Sequence, residues 1–104
     1  MNEEIRYKLL KVLDRNPSIN QRELSKELGV SLGKVNYCIQ ALKDKGLVKA
    51  RSFKNSQNKR GYLYVLTPQG IDEKAKITVR FLNRKLSEYE ELKQEIARLK
   101  NEIN

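Results

Sequence analysis

Ile5, Leu9, Val12 and Leu13 recur at helical spacing, with Leu10 flanking them, and predict a helix over residues 3–15. Asn16 precedes Pro17, which biases it out of the helical region, so the helix stops there. "NQRELSKELG" predicts a second helix. Asn20 caps it, Glu23 three residues on completes a capping-box-like pair, Leu24 and Leu28 form the apolar stripe, and Gly29 is the stop. A third lies in "VSLGKVNYCIQALKDKG", with Ser31 as cap, Val35, Cys38, Ile39 and Leu42 along one side, and Gly46 at its end. The pattern then changes. "LVKARSFK" and "YLYVLT" read as two strands, and the polar "NSQNKRG" between them, closing on Gly61, makes the pair a hairpin with a long tip.

"TPQG" opens a last helix, with Thr67 as cap and Pro68 at the first helical position. No proline follows and no glycine after Gly70, so a helix of up to about 36 residues is expected, far longer than the globular average. Tyr89, Leu92, Ile96, Leu99 and Ile103 step by 3, 4, 3 and 4, which is the spacing of a coiled-coil seam. Leu82 extends the seam backwards, with Lys85 interrupting it, and charged residues surround it. A chain this small cannot bury such a seam internally, so self-association through Leu82, Tyr89, Leu92, Ile96, Leu99 and Ile103 is expected.

The chain has 104 residues, room for one small domain. It has no histidine and one cysteine, Cys38, which excludes an internal disulfide and metal sites of the Cys/His kind. Without histidine the usual general base near neutral pH is missing. No phosphate-cradling glycine motif occurs, and Cys38 sits on the apolar side of its helix, as a packing cysteine does. No catalytic residue and no cofactor is expected. There is no apolar run of about 18 residues to span a membrane. The start "MNEEIRYKLL" lacks a basic stretch followed by an apolar one, so a cytoplasmic protein is expected.

The net charge of +9 is unevenly placed. Residues 31–70 hold Lys34, Lys43, Lys45, Lys49, Arg51, Lys54, Lys59 and Arg60 against one acid, Asp44, whereas the flanking segments each carry +1. Excess charge concentrated in this way marks a surface for a polyanion. It coincides with two short helices joined by a tight turn at Gly29, which is helix-turn-helix spacing. In that motif the second helix enters the major groove of DNA, N-terminal residues nearest the bases. At about 100° per residue, Tyr37, Gln40 and Gly33 point away from Val35, Ile39 and Leu42, with Asn36 to one side and Lys34 to the other. Asn36 and Gln40 can pair bidentately with adenine edges. Tyr37 offers a ring to a thymine methyl and a hydroxyl to a phosphate. Gly33 permits close approach of the backbone, and the helix N-terminus at Ser31 suits a phosphate oxygen. In the hairpin tip, Lys54 and Lys59 can lie along phosphates and Arg60 can enter a narrow minor groove.

The order helix, helix, helix, hairpin, long helix, with "QRELSKELGVSLGKVNYCIQALKDKGLVKA" followed by "NKRGYLYVLTPQG", resembles the MarR-type winged helix-turn-helix regulators. Over nearly the full chain, including "NEEIRYKLL", "SLGKVNY" and "LTPQG", it is similar to the short MarR-family regulators associated with exopolysaccharide gene clusters. The resemblance implies a dimeric bacterial transcription regulator. Two departures bear on this expectation. Arg60 matches the arginine of the Asp-x-Arg pair that the wing of such proteins carries, but Asn58 stands where the acid would be. Larger relatives also have an additional N-terminal helix in the dimer interface, often with a ligand pocket there. This chain begins at the first helix of the binding domain, so dimerisation is expected to rest on residues 68–103 and no small-molecule effector site is expected.

The expected fold is therefore mainly α with a small β-hairpin: a winged helix-turn-helix domain over residues 1–67 and a C-terminal, coiled-coil-like dimerisation helix over 68–104. The expected function is sequence-specific binding of double-stranded DNA by a homodimer, most simply as a repressor at a pseudo-palindromic operator. The alternative is a winged-helix interaction module that binds RNA or, through its C-terminal helix, a partner protein.

Overall fold

A computed structural model describes residues 1–54 and 60–104. The elements in chain order are α1 (Glu3–Arg15), α2 (Gln21–Leu28), α3 (Leu32–Asp44), β1 (Val48–Lys54), β2 (Arg60–Leu66) and α4 (Pro68–Glu102). The fold is a winged helix-turn-helix, mainly helical with one antiparallel hairpin, extended by a long C-terminal helix. It measures 70 × 26 × 23 Å. Among the described residues no helix is long and apolar enough to cross a membrane.

Side-chain oxygens cap every helix at its N-terminus. Asn2, Asn20, Ser31 and Thr67 accept from the backbone N–H groups of Ile5, Glu23, Lys34 and Gly70 at 2.8, 2.8, 3.1 and 3.0 Å, satisfying donors that would otherwise be orphaned. At α2 the expected capping pair takes a different form. Asn20 Nδ2 donates to Glu23 Oε1 at 2.6 Å, so Glu23 reaches the side-chain amide of the cap. Gly46 ends α3 at φ 73°. Its N–H donates to Lys43 O, and Leu47 N–H donates to Leu42 O at 2.9 Å. That bond closes the helix end and holds Leu47 out of the strand, so β1 starts at Val48 and not at Leu47.

The hairpin register runs from Val48↔Leu66 to Lys54↔Arg60. β2 therefore begins two residues earlier than its apolar pattern indicated. Gly61 pairs with Phe53 within the ladder and does not close the turn. Ladder hydrogen bonds are backbone bonds, so the polarity of a residue type does not stop them. The α1–α2 connection lies along β2, with Tyr64 N–H donating to Pro17 O at 2.9 Å.

One cluster forms the core: Leu9, Leu10, Val12 and Leu13 of α1, Ile19, Leu24 of α2, Val35, Cys38, Ile39 and Leu42 of α3, Leu47, Val48, Tyr64 and Leu66, and Ile77 of α4. The start of α4 therefore packs with the domain that precedes it. Gly70 is essential to that approach. A Cβ placed there would lie 2.0 Å from the backbone oxygen of Leu47, a separation no side chain could occupy. Ion pairs Arg6–Glu73 (3.1 Å), Arg80–Glu3 (2.9 Å) and Lys74–Asp14 (2.8 Å) join α1 to α4, and Tyr7 stacks on Phe81 with ring centroids 4.9 Å apart.

Beyond Phe81 the helix leaves the domain. Leu82, Tyr89, Leu92, Ile96 and Leu99 are all exposed, and so is Ile103, which is the C-cap of α4 and not a residue inside it. The stripe is wider than its sequence spacing indicated. Val79 and Leu86 are exposed on the same side, so beside Lys85 the apolar surface continues through Leu86.

Candidate nucleic-acid interface

α2 and α3 meet at Gly29, whose φ of 68° lets the chain turn with little strain. Val30 N–H donates to Ser25 O at 3.2 Å and closes the end of α2. α3 then lies with Val35, Cys38, Ile39 and Leu42 in the core. The opposite face carries Ser31, Gly33, Lys34, Asn36, Tyr37 and Gln40, all exposed. Tyr37 is 61% exposed, which is unusual for an aromatic ring unless its surface has a use. A Cβ on Gly33 would meet nothing within 4 Å. Glycine is therefore not required there by the fold, unlike at Gly70. Leu32, also exposed, adds an apolar edge at the start of the helix.

The wing stands beside this face. Lys54 and Arg60 pair as backbone at the end of the hairpin. Lys59, and Asn58 with it, lies outside the described residues, as does the rest of the tip, residues 55–59.

Between α3 and the hairpin the structure brings together side chains that sequence spacing did not connect. Gln21, Ile39, Gln40, Lys43, Ala50, Tyr62 and Tyr64 line a cleft of about 250 Å³. Gln21 Nε2 donates to Tyr64 Oη at 3.3 Å. Tyr62 is 60% exposed, and its ring stacks beside that of the buried Tyr64 at a centroid distance of 6.5 Å. Gln40 belongs both to the exposed face of α3 and to this cleft, so the two surfaces are continuous. Their chemistry is that of donors to an anion: an ammonium at Lys43, phenol hydroxyls, amides and a helix N-terminus, with no carboxylate lining the cleft. The sequence marks Lys43 only as part of the positive surplus of residues 31–70, and it hides Tyr62 because the strand pattern puts Tyr62 and Tyr64 on one face. Only the packing shows that this face is buried at Tyr64 and open at Tyr62.

A family model described as winged helix-turn-helix DNA-binding matches residues 2–49. No curated protein matches the chain. Among solved structures, a mutant of MepR from S. aureus is similar at 19% identity and a TM-score of 0.67, with 100% of this chain and 80% of that one covered. FabT from Streptococcus pneumoniae, in complex with DNA, is similar at 23% identity and a TM-score of 0.59 over 83% of this chain and 58% of that one. A MarR family protein of Mycobacterium tuberculosis in complex with p-aminosalicylic acid is similar at 17% identity and a TM-score of 0.57 over 89% of this chain and 77% of that one. At these identities the likeness is one of fold.

Proposed function

We propose that the protein is a transcription regulator that binds double-stranded DNA sequence-specifically as a homodimer and acts in the cytoplasm. The observation that carries this reading is the exposed face of α3, where Asn36, Tyr37 and Gln40 stand together at the end of a helix-turn-helix. The matching family model and the structural likeness to FabT in complex with DNA support it. In this reading α3 lies in the major groove. Asn36 and Gln40 read base edges, Tyr37 meets a thymine methyl or a phosphate, and Gly33 lets the helix approach closely. Ser31 and Lys34 contact phosphates, Tyr62 and Lys43 extend those contacts across the cleft, and Lys54, Lys59 and Arg60 grip the neighbouring backbone.

The exposed seam of α4 pairs two subunits, and twofold symmetry calls for a pseudo-palindromic operator with half-sites about one turn, roughly 10 bp, apart or a multiple of that. Occlusion of a promoter, hence repression, is the simplest consequence. The similarity to short exopolysaccharide-associated regulators makes genes of that kind the first place to seek the operator.

Affinity selection on fragmented genomic DNA tests the proposal, and one enriched palindromic site is the expected result. On that site, Asn36→Ala and Tyr37→Ala should each lower the ratio of operator to random-DNA affinity by about 10- to 100-fold, the worth of one specific base contact. Unchanged ratios in both variants would remove α3 from the reading role. Binding of structured RNA in preference to every duplex would favour an RNA-binding module instead.

A further inference from the structure

The homodimer reading does not say how the two α4 helices run, but the residues flanking the seam do. With Tyr89 taken as position a of a heptad, Tyr89, Ile96 and Ile103 occupy a positions and Leu92 and Leu99 occupy d positions. Among parallel coils, isoleucine at a with leucine at d favours two strands. The flanking e positions are Lys93 and Lys100, and the g positions are Glu88, Glu95 and Glu102. In a parallel, in-register pair each g residue faces the e residue five places on in the second copy. Glu88 then meets Lys93 and Glu95 meets Lys100. In an antiparallel pair g faces g and e faces e, which sets glutamate against glutamate and lysine against lysine.

Extending the frame towards the domain makes Phe81 a g residue and Leu86 an e residue. Parallel pairing sets Leu86 near the Phe81 edge of the second copy, although that ring is already stacked on Tyr7 within its own domain. The only ion pairs that Glu88 and Lys93 make within the described residues are short-range, to Lys85 and Glu90 at 3.2 and 3.6 Å on the exposed helix surface. Such pairs exchange at little cost. Between residues 82 and 103 no described residue of the domain body covers the seam. Ile71, Ala75, Thr78 and Leu82, which continue it upstream, lie on average about 130° around α4 from the buried Ile77.

We infer that residues 82–103 of α4 pair parallel and in register with the same residues of a second copy of this chain. The inference rests on the homodimer reading and adds its geometry. Both winged domains then stand at one end of the coil, with the twofold axis along it.

Disulfide trapping tests this. In a Cys38→Ser background, Ile103→Cys places one thiol at an a position. Under mild oxidation it should yield mostly cross-linked dimer, because facing a positions in a parallel coil are close enough for a disulfide. If that variant stays uncross-linked while Tyr89→Cys and Leu99→Cys chains cross-link to each other but neither to itself, the pairing is antiparallel, because an antiparallel coil sets a against d, and the inference is overturned. A second measurement needs no cysteine. Replacing Glu88 and Glu95 with glutamine should weaken self-association by about three- to tenfold, and added salt should weaken the wild type. Both would strengthen an antiparallel pair by relieving its like-charge contacts. A wild type that remains monomeric at all concentrations would overturn the homodimer reading itself, a result distinct from a dimer that fails to cross-link.

Discussion

Two glycines of the chain have opposite reasons for being glycine, and the contrast is testable residue by residue. At Gly70 a side chain would collide with the Leu47 carbonyl, which is backbone and cannot rotate away. Gly70→Ala should therefore cost about 2 kcal/mol or more and lower the melting temperature by roughly 10 °C, as thermal denaturation followed by circular dichroism would show. At Gly33 there is open space, and alanine is the better helix former. Gly33→Ala should raise stability by up to about 1 kcal/mol and yet weaken operator binding, because the added methyl stands on the face proposed to approach DNA. A variant that gains stability and keeps full affinity would show that this glycine has no part in close approach. Both glycines occur in motifs quoted from the sequence, "SLGKVNY" and "LTPQG". Their different reasons were not legible there, since a residue's own letter does not say which backbone will come near it.

At the scale of elements, the caps and stops of the helices could be read almost letter by letter. Asn20, Ser31 and Thr67 cap helices as their local context indicates, because a cap is a contact across three residues and needs no tertiary partner. The hairpin was less legible. Its ladder extends to Arg60 through backbone bonds that side-chain polarity does not report. The cleft between α3 and β2 was not legible at all, since Gln21, Lys43 and Tyr62 come from three separate elements. Its proposed role as a phosphate contact predicts that Lys43→Ala weakens operator and random DNA by similar factors and reduces the slope of log affinity against log salt by about 0.9. Tyr62→Phe should weaken both without changing that slope, because it removes a hydrogen bond and not a charge. Gel shifts over a salt series separate the two cases, and a Lys43→Ala slope equal to wild type would take Lys43 off the phosphate backbone.

At the scale of the whole molecule, α4 has two apolar faces. One, with Gly70, Ile77 and Phe81, belongs to the chain's own core, while the other, from Leu82 to Ile103, is covered by nothing among the described residues. If the second face joins two subunits, the operator is gripped at two half-sites at once and the second contact is made at high effective concentration. Leu92→Asp combined with Ile96→Asp should then leave the winged domain folded, produce a monomer in analytical ultracentrifugation, and lower operator affinity by about 100-fold or more. Monomeric variants that bind the operator as tightly as wild type would show that α4 does not pair subunits on DNA.

The sequence by itself determined which segments are helices, where most of them start and stop, which side of α3 is buried, and that the surplus of positive charge lies between residues 31 and 70. These are properties of period, capping and composition, all of them local along the chain. Tertiary structure alone decided that Gly70 must be glycine, that Tyr62 is open while Tyr64 is closed, that Lys43 and Gln21 share a cleft with the exposed face of α3, and that Leu86 carries the apolar stripe past Lys85. Each of these depends on how closely two distant segments approach or on which face the core leaves uncovered. That distance is set by the packing of Leu9, Leu10, Ile39, Leu42, Tyr64 and Ile77 into one cluster, and no window along the chain contains it.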